Sequence, residues 1–262
     1  MPKVAAVSPT IVFGDIERNL ESIVTAVVEA AHRGAELVVA PELATSGYVF
    51  EDATEARGLA LRADDALLTN LGHRLPADVI TVFGYAERDG DRLFNTAAVI
   101  GHGRRLADYR KSHLWDQEKA VFTPGDHPGL LVDTDDFRLG VAICYDNEFP
   151  EVPRGLALSG ASILALPVNW PLVPRPPQEH PPETVQAMAA ARSSRLPIVI
   201  ADRHGSERDV PWTGGSAIID AHGWIADEQV EGIALADVEL FPDDKAIGPR
   251  NDVFADRRPE LY

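Results

Sequence analysis

Cysteine is almost absent: the 262-residue chain has one, Cys144. A single thiol excludes an intramolecular disulfide framework and fits a reducing compartment. Lysine is nearly as scarce, limited to Lys3, Lys111, Lys119 and Lys245, so arginine carries most of the positive charge. Basic residues are outnumbered 41 to 24 by acidic ones, for a formal net charge of −17 at pH 7. A surface of that sign repels phosphate backbones and anionic lipids, which argues against nucleic-acid and membrane-surface binding. No run of about eighteen apolar residues occurs; even the stretch Ile163 to Val168 is soon ended by Asn169 and a proline cluster. The N-terminus lacks a basic segment followed by a long apolar one, so no signal peptide is read and a cytoplasmic protein is expected. Walker loops, His-Glu-x-x-His, paired cysteines and Gly-x-Ser-x-Gly are all missing. Gly101-His102-Gly103 meets Leu106 where a dinucleotide fingerprint needs its third glycine, and the eight histidines are scattered. Neither a metal nor a cofactor is therefore expected.

What is present is globular: 45% apolar and 25% charged residues, enough for a large core and read as one domain over 1–262. Apolar residues at Ile16, Leu20, Ile23, Val24, Val27, Val28 and Ala31 form a helical stripe behind Asp15 as N-cap. The short apolar run Glu36 to Ala40 then reads as a strand covered on both faces. A second helix is expected over Glu55 to Leu75, and others over Pro150 to Ser159 and Glu179 to Ser194. Strands are expected at Val79–Tyr85, Thr96–Ile100, Arg105–Tyr109, Leu139–Ile143, Ile163–Pro167, Pro197–Ala201, Gly215–Asp220 and Gly232–Val238, with hairpin turns at Asp89-Gly90 and His102-Gly103. Crossover helices mixed with hairpins predict an α/β or α+β chain with more than one sheet. Six prolines between Pro171 and Pro182 predict a stiff connection or the rim of a site.

Three segments carry chemistry. Glu42 follows directly on the strand at Glu36–Ala40, where side chains at strand ends reach ligand crevices. Lys111, one of four lysines, follows the strand at Arg105–Tyr109 in a segment running through His113, Trp115 and Glu118 to Phe122-Thr123-Pro124-Gly125. Cys144 ends the strand at Leu139–Ile143, ahead of a helix with Pro150 in its first turn, a position expected to favour the thiolate through the helix dipole. Each alone is ordinary: a solvated glutamate, an exposed lysine, a buried small thiol. Together they supply a base, an oxyanion-holding cation and a nucleophile for acyl transfer.

With these residues in this order the chain resembles the nitrilase superfamily of carbon-nitrogen hydrolases, whose Glu-Lys-Cys triad has the same order. The motifs stand as Pro-Glu-Leu at Glu42, Tyr-Arg-Lys-Ser-His-Leu at Lys111 and Cys-Tyr-Asp-Asn-Glu-Phe-Pro-Glu from Cys144, with Asn169-Trp170-Pro171 and Gly214-Gly215-Ser216-Ala217-Ile218 beyond. The resemblance implies a four-layer α-β-β-α sandwich assembled as a homodimer or larger homo-oligomer. It also implies a second glutamate, best matched by Glu118, and substrate contacts from Tyr48, Tyr145, Asn169 and Trp170. The chain ends soon after its last strand, without the long extension of filament-forming nitrilases, which favours amides over nitriles. The expected activity is cofactor-free hydrolysis of small linear amides, with Trp170 and the proline-rich rim favouring short acyl groups. An N-carbamoyl amino-acid hydrolase, a nitrilase and a non-catalytic scaffold are the alternatives.

Overall fold

Alternate residues of single strands belong to different cores, and this defines the layers. In the computed structural model, which describes residues 1–261, Val4 and Ala6 of strand β1 (Lys3–Val7) join one buried cluster while Ala5 and Val7 join another. Strand β2 (Leu37–Val39) divides the same way, with Leu37 and Val39 on one side and Val38 on the other. A strand splits its side chains between two faces with period two, so both faces of this sheet are covered.

Along the chain, β1 and β2 are followed by β3 (Ile80–Asp89), β4 (Arg92–Gly101) and β5 (Arg104–Arg110). Then come β6 (Leu130–Asp133), β7 (Arg138–Val141), β8 (Ile163–Pro167) and β9 (Ile198–Ala201). A small hairpin, β10 (Ser206–Glu207) and β11 (Val210–Pro211), precedes β12 (Ala217–Ile219), β13 (Glu228–Val230) and β14 (Ile233–Asp237). One sheet has the order β13-β14-β1-β2-β3-β4-β5 and the other β12-β9-β8-β7-β6. Within them β1, β2 and β3 pair in parallel, as do β7, β8 and β9, while the outer strands add antiparallel. Val4, Leu37, Val39 and Val82 of the first sheet share a core with Val141, Ala165 and Ile200 of the second, so the sheets pack face to face.

Helix α1 (Ile16–His32), capped by the Asp15 carboxylate on Arg18 N at 3.2 Å, buries Leu20, Ile23, Val24 and Val27 against the outer face of the first sheet. The expected second helix is two: α2 (Ala53–Leu59) and α3 (Ala66–Arg74). Between them Leu61 pairs with β3, its N–H donating to Ala86 O and its carbonyl accepting from Arg88 N, both at 2.9 Å. That edge pairing requires extended backbone, which overrides the helical pattern. After the short α4 (Glu118–Val121), α5 (Glu151–Leu158) and α6 (Pro182–Ser194) cover the second sheet through Val152, Leu156 and Ala187. Helix α6 starts at Pro182 instead of Glu179, because prolines at 181 and 182 hold the residues before them out of the helical region. The result is the expected α-β-β-α layering. The His102-Gly103 turn has positive φ at both residues, +54° and +69°, the geometry of a tight hairpin. Among the described residues no helix is long and apolar enough to cross a membrane.

Candidate active site

The parallel strands β2, β7, β8 and β9 run into Glu42, Cys144, Asn169 and Asp202, and β5 runs into Lys111. Beyond β2 the chain stays bonded to β3, with Ala40 N donating to Val82 O and Gly84 N to Pro41 O. A Cβ at Gly84 would stand 2.6 Å from Glu42 Cα and 2.2 Å from Leu43 N. Only glycine lets β3 pass so close beneath Glu42. Leu43 takes φ +48°, a sharp turn that directs Glu42 into the interior. On the other side Lys111 N donates to Asn95 O of β4 and its carbonyl accepts from Gly125 N, both at 2.8 Å.

These turns bring together residues far apart in sequence. The Lys111 ammonium lies 2.7 Å from Glu42 Oε1 and 3.0 and 2.8 Å from the two Glu118 oxygens. Asn95 Nδ2 donates to Glu42 Oε1 and to Glu118 Oε1, each at 2.7 Å. Glu118 Oε2 also accepts from Trp115 N at 2.6 Å, which ties α4 to the cluster. All four side chains are buried. Two carboxylates share one ammonium, so full ionisation would leave a buried surplus of negative charge. Burial accordingly pushes Glu42 up to about 7 against the pull of Lys111, with the Glu118 charge adding to the rise. Burial works against the Lys111 charge, but the Glu118 and Glu42 carboxylates outweigh it and hold the ammonium well above its ordinary range.

Cys144 opens a five-residue 3-10 turn, Cys144–Glu148, at φ +48°, a rare conformation for a residue with a Cβ. Such backbone strain is characteristic of functional positions. The expectation that a helix N-terminus favours the thiolate is overturned. The turn intervenes before α5, and burial, reinforced by the Glu42 charge, pushes the thiol well above its usual range. A thiol held protonated in this way needs a base. Asn169 links the two: its carbonyl lies 4.0 Å from Cys144 Sγ and its Nδ2 donates to Glu42 O at 2.9 Å. Glu42 Oε1 is occupied by Lys111 and Asn95, whereas the buried Oε2 has no partner.

Asp146 fastens the Cys144 turn to the Lys111 segment. Its carboxylate accepts from Ile143 N at 3.0 Å, His113 N at 3.0 Å and Tyr109 OH at 2.9 Å, and contacts His113 Nδ1 at 2.7 Å. The His113 ring stacks on Phe149 with centroids 3.8 Å apart. Asn95, Asp146 and Gly84 escaped the sequence reading. Gly84 had a usable signal, a glycine inside an apolar strand, while Asn95 and Asp146 are ordinary residues until the fold buries them.

Cys144 lies on the wall of a cavity of about 370 Å³ that Trp115, Tyr145, Asn169, Trp170 and Pro171 also line. Trp170 belongs both to this wall and to the larger buried core, and its backbone N–H donates to Asp202 Oδ1 at 3.0 Å. Tyr48 lies apart from this wall, in an adjoining cavity of about 240 Å³ with Glu118, Trp115 and Trp212. Burial and the Glu118 charge raise its phenol well above the usual range. The proline-rich stretch supplies rim residues Pro171, Val173 and Pro182, and Leu172 N donates to Pro211 O at 2.8 Å. Among the described residues no group of three or more His, Cys, Asp and Glu side chains is arranged to hold a metal ion.

A family model described as carbon-nitrogen hydrolase matches residues 3–240, and the chain belongs to that family within the nitrilase superfamily. A nitrilase from Pyrococcus abyssi is 35% identical over 268 residues, covering 100% of this chain and 99% of the relative. A citrullinase from Francisella tularensis is 32% identical over 272 residues, covering 95% and 93%. Among solved structures, an amidase from Nesterenkonia superposes with a TM-score of 0.81 at 27% identity, covering 99% of this chain and 94% of that one. The chain is thus a hydrolase of carbon-nitrogen bonds with amidase-like neighbours.

Proposed function

We propose that the protein hydrolyses short aliphatic amides to carboxylate and ammonia through a thioester on Cys144, with residues 1–262 acting as one catalytic unit. The observation that carries this reading is the division of labour at Glu42, where one carboxylate oxygen is held by Lys111 and Asn95 and the other is unpartnered. A base held through one oxygen and free at the other is oriented without being neutralised.

In this mechanism Glu42 takes the Cys144 proton as sulfur attacks the amide carbon. The C–O π electrons move to oxygen, and the oxyanion is held by the Lys111 ammonium and the backbone N–H of Tyr145. Collapse breaks the C–N bond, and Glu42 returns its proton to the departing ammonia. Water then enters, Glu42 removes its proton, and the resulting hydroxide attacks the thioester; the C–S bond breaks, the carboxylic acid leaves, and Glu42 returns its proton to the sulfur to restore the thiol. Glu118 keeps the ammonium facing the reacting carbon. Trp170 and Pro171 bound the acyl side, and a wall built partly from core limits its expansion.

Support for the substrate class comes from the similar Nesterenkonia amidase, whose structures include a butyramide complex and the acetamide moiety of fluoroacetamide added to its active-site cysteine. The test is mass spectrometry of the protein quenched during turnover of butyramide. A mass increase of one butyryl group on the Cys144 peptide, absent from Cys144→Ala, is expected. Ammonia release that persists in Cys144→Ala refutes the proposal.

A further inference from the structure

The cavity holding Cys144 has a one-sided electrostatic character. Glu148 and Glu183 are the charged side chains of its wall, and among the described residues neither carboxylate pairs with a cation. Glu183 Oε2 is buried without a hydrogen-bond partner. Glu148 stays exposed to solvent, and its partial desolvation together with the Glu183 charge raises it above its ordinary value, as happens when carboxylates share a space with no counter-charge. A second feature points the same way. Asn169, only 1% exposed, lines this cavity and uses its Nδ2 on Glu42 O, while its Oδ1 is left without a donor. The unfilled groups of the wall are therefore acceptors, and a complementary ligand brings donors and positive charge.

Reach follows from the turn that carries the nucleophile. Cys144 and Glu148 are the first and last residues of one 3-10 segment, which at a rise of about 2.0 Å per residue separates them by roughly 8 Å along its axis. An extended chain of three or four methylenes, starting at a carbonyl bonded to Sγ, covers most of that span. Trp115 and Tyr145, in edge contact with centroids 4.9 Å apart, stand on the same wall.

We infer that the Cys144 cavity selects amides carrying a primary ammonium group three or four methylenes from the scissile carbonyl, with Glu148 and Glu183 receiving the ammonium. This rests on the amide hydrolysis proposed above for its catalytic meaning, though not for the binding itself. The wall also disfavours the opposite case, an amide ending in a carboxylate, which would face two like charges.

The test measures binding to Cys144→Ala protein by titration calorimetry with three probes: 5-aminopentanamide, hexanamide, in which a methyl replaces the ammonium, and the monoamide of glutaric acid. The ammonium probe is expected to bind about tenfold or more tighter than hexanamide, the carboxylate probe weakest of all, and added salt to narrow the difference. In the same background, Glu148→Gln with Glu183→Gln is expected to bring the ammonium-to-methyl ratio close to one. Equal or tighter binding of hexanamide, no binding of 5-aminopentanamide, or a preference that survives both substitutions overturns the inference. Turnover by the unsubstituted enzyme separates the two claims. An acyl adduct from hexanamide without any ammonium preference leaves amide hydrolysis standing and removes the cation site. A calorimetric preference without an adduct from either probe does the reverse.

Discussion

Two buried ionic clusters lie near Tyr48, and they are built on different principles. In one, Glu207 Oε1 accepts from Tyr48 N and Val49 N at 2.8 and 2.6 Å while its Oε2 pairs with Arg203. One carboxylate meets one guanidinium and two backbone donors, and both of its oxygens are filled. In the other, Glu42 and Glu118 share Lys111, Glu42 Oε2 has no partner, and Glu42 titrates near 7. The Glu207 pair is balanced in charge, although Arg203 Nη1 is buried without a partner, and it shapes the loop bearing Tyr48. The Lys111 cluster carries a surplus carboxylate and an unfilled oxygen. Burial of charge is common to both, so burial by itself does not mark a catalytic site. The mark is charge left over, because a group fully committed to its neighbours cannot exchange a proton.

The comparison breaks most visibly at Glu42. Glu42→Gln keeps the shape and most hydrogen bonds but removes the base, and kcat is expected to fall on the order of 10³-fold. The pH profile sharpens this prediction. Glu42 accepts the thiol proton only when ionised, so raising its pKa to about 7 places the acid limb of kcat/KM there. Below that limb the rate falls about tenfold per pH unit. Residual activity of Glu42→Gln lacks the limb, and an unchanged profile in that variant assigns the base elsewhere. Lys111→Arg keeps the charge but replaces a compact ammonium with a planar fork that does not fit between two carboxylates and an oxyanion. Steady-state assay is expected to show a loss of about 10²-fold in kcat.

Smaller effects follow away from the ionic centre. Trp170→Phe shortens a wall that is also core, and the kcat/KM ratio of octanamide to hexanamide is expected to rise about tenfold. An unchanged ratio with only a lowered melting temperature assigns Trp170 to packing alone. Glu207→Gln tests the balanced pair. Leaving Arg203 without its counter-charge is expected to cost ~3–5 kcal/mol in denaturant unfolding, with kcat changing by only a few-fold in the folded protein. A kcat loss as large as that of Lys111→Arg erases the distinction between the two clusters.

Much of this arrangement was legible along the chain. The stripe from Ile16 to Ala31 is α1 within a residue or two, and Ile163–Pro167 is β8 without change. Both depend on local periodicity, which a short window contains. The helix expected over Glu55–Leu75 failed because Leu61 is claimed by β3, a partner 26 positions away that no window includes. Glu42, Lys111 and Cys144 stood out by type, scarcity and position at strand ends. Glu118 entered through the resemblance alone, and its two contacts with Lys111 Nζ place it at the centre. Asn95 gave no sign, since an asparagine inside a strand becomes notable only when two carboxylates converge on its amide.

The four-layer order entered through the family resemblance, whereas the sequence by itself determined the inventory and the fold class: one thiol, a rare lysine, a strand-end glutamate, and helical stripes mixed with short apolar runs that predict an α/β or α+β chain with more than one sheet. These are properties of composition and short-range spacing. Only the tertiary structure decided the electrostatics, because a pKa depends on distance and burial together. It converted the expected thiolate into a protonated thiol that needs a base, raised Glu42 toward neutrality, and put both Glu148 and Glu183 on the wall of the Cys144 cavity. Each of those outcomes arises from groups separated by tens of residues and gathered by the fold, where lost or reduced access to water lets a charge act on its neighbours.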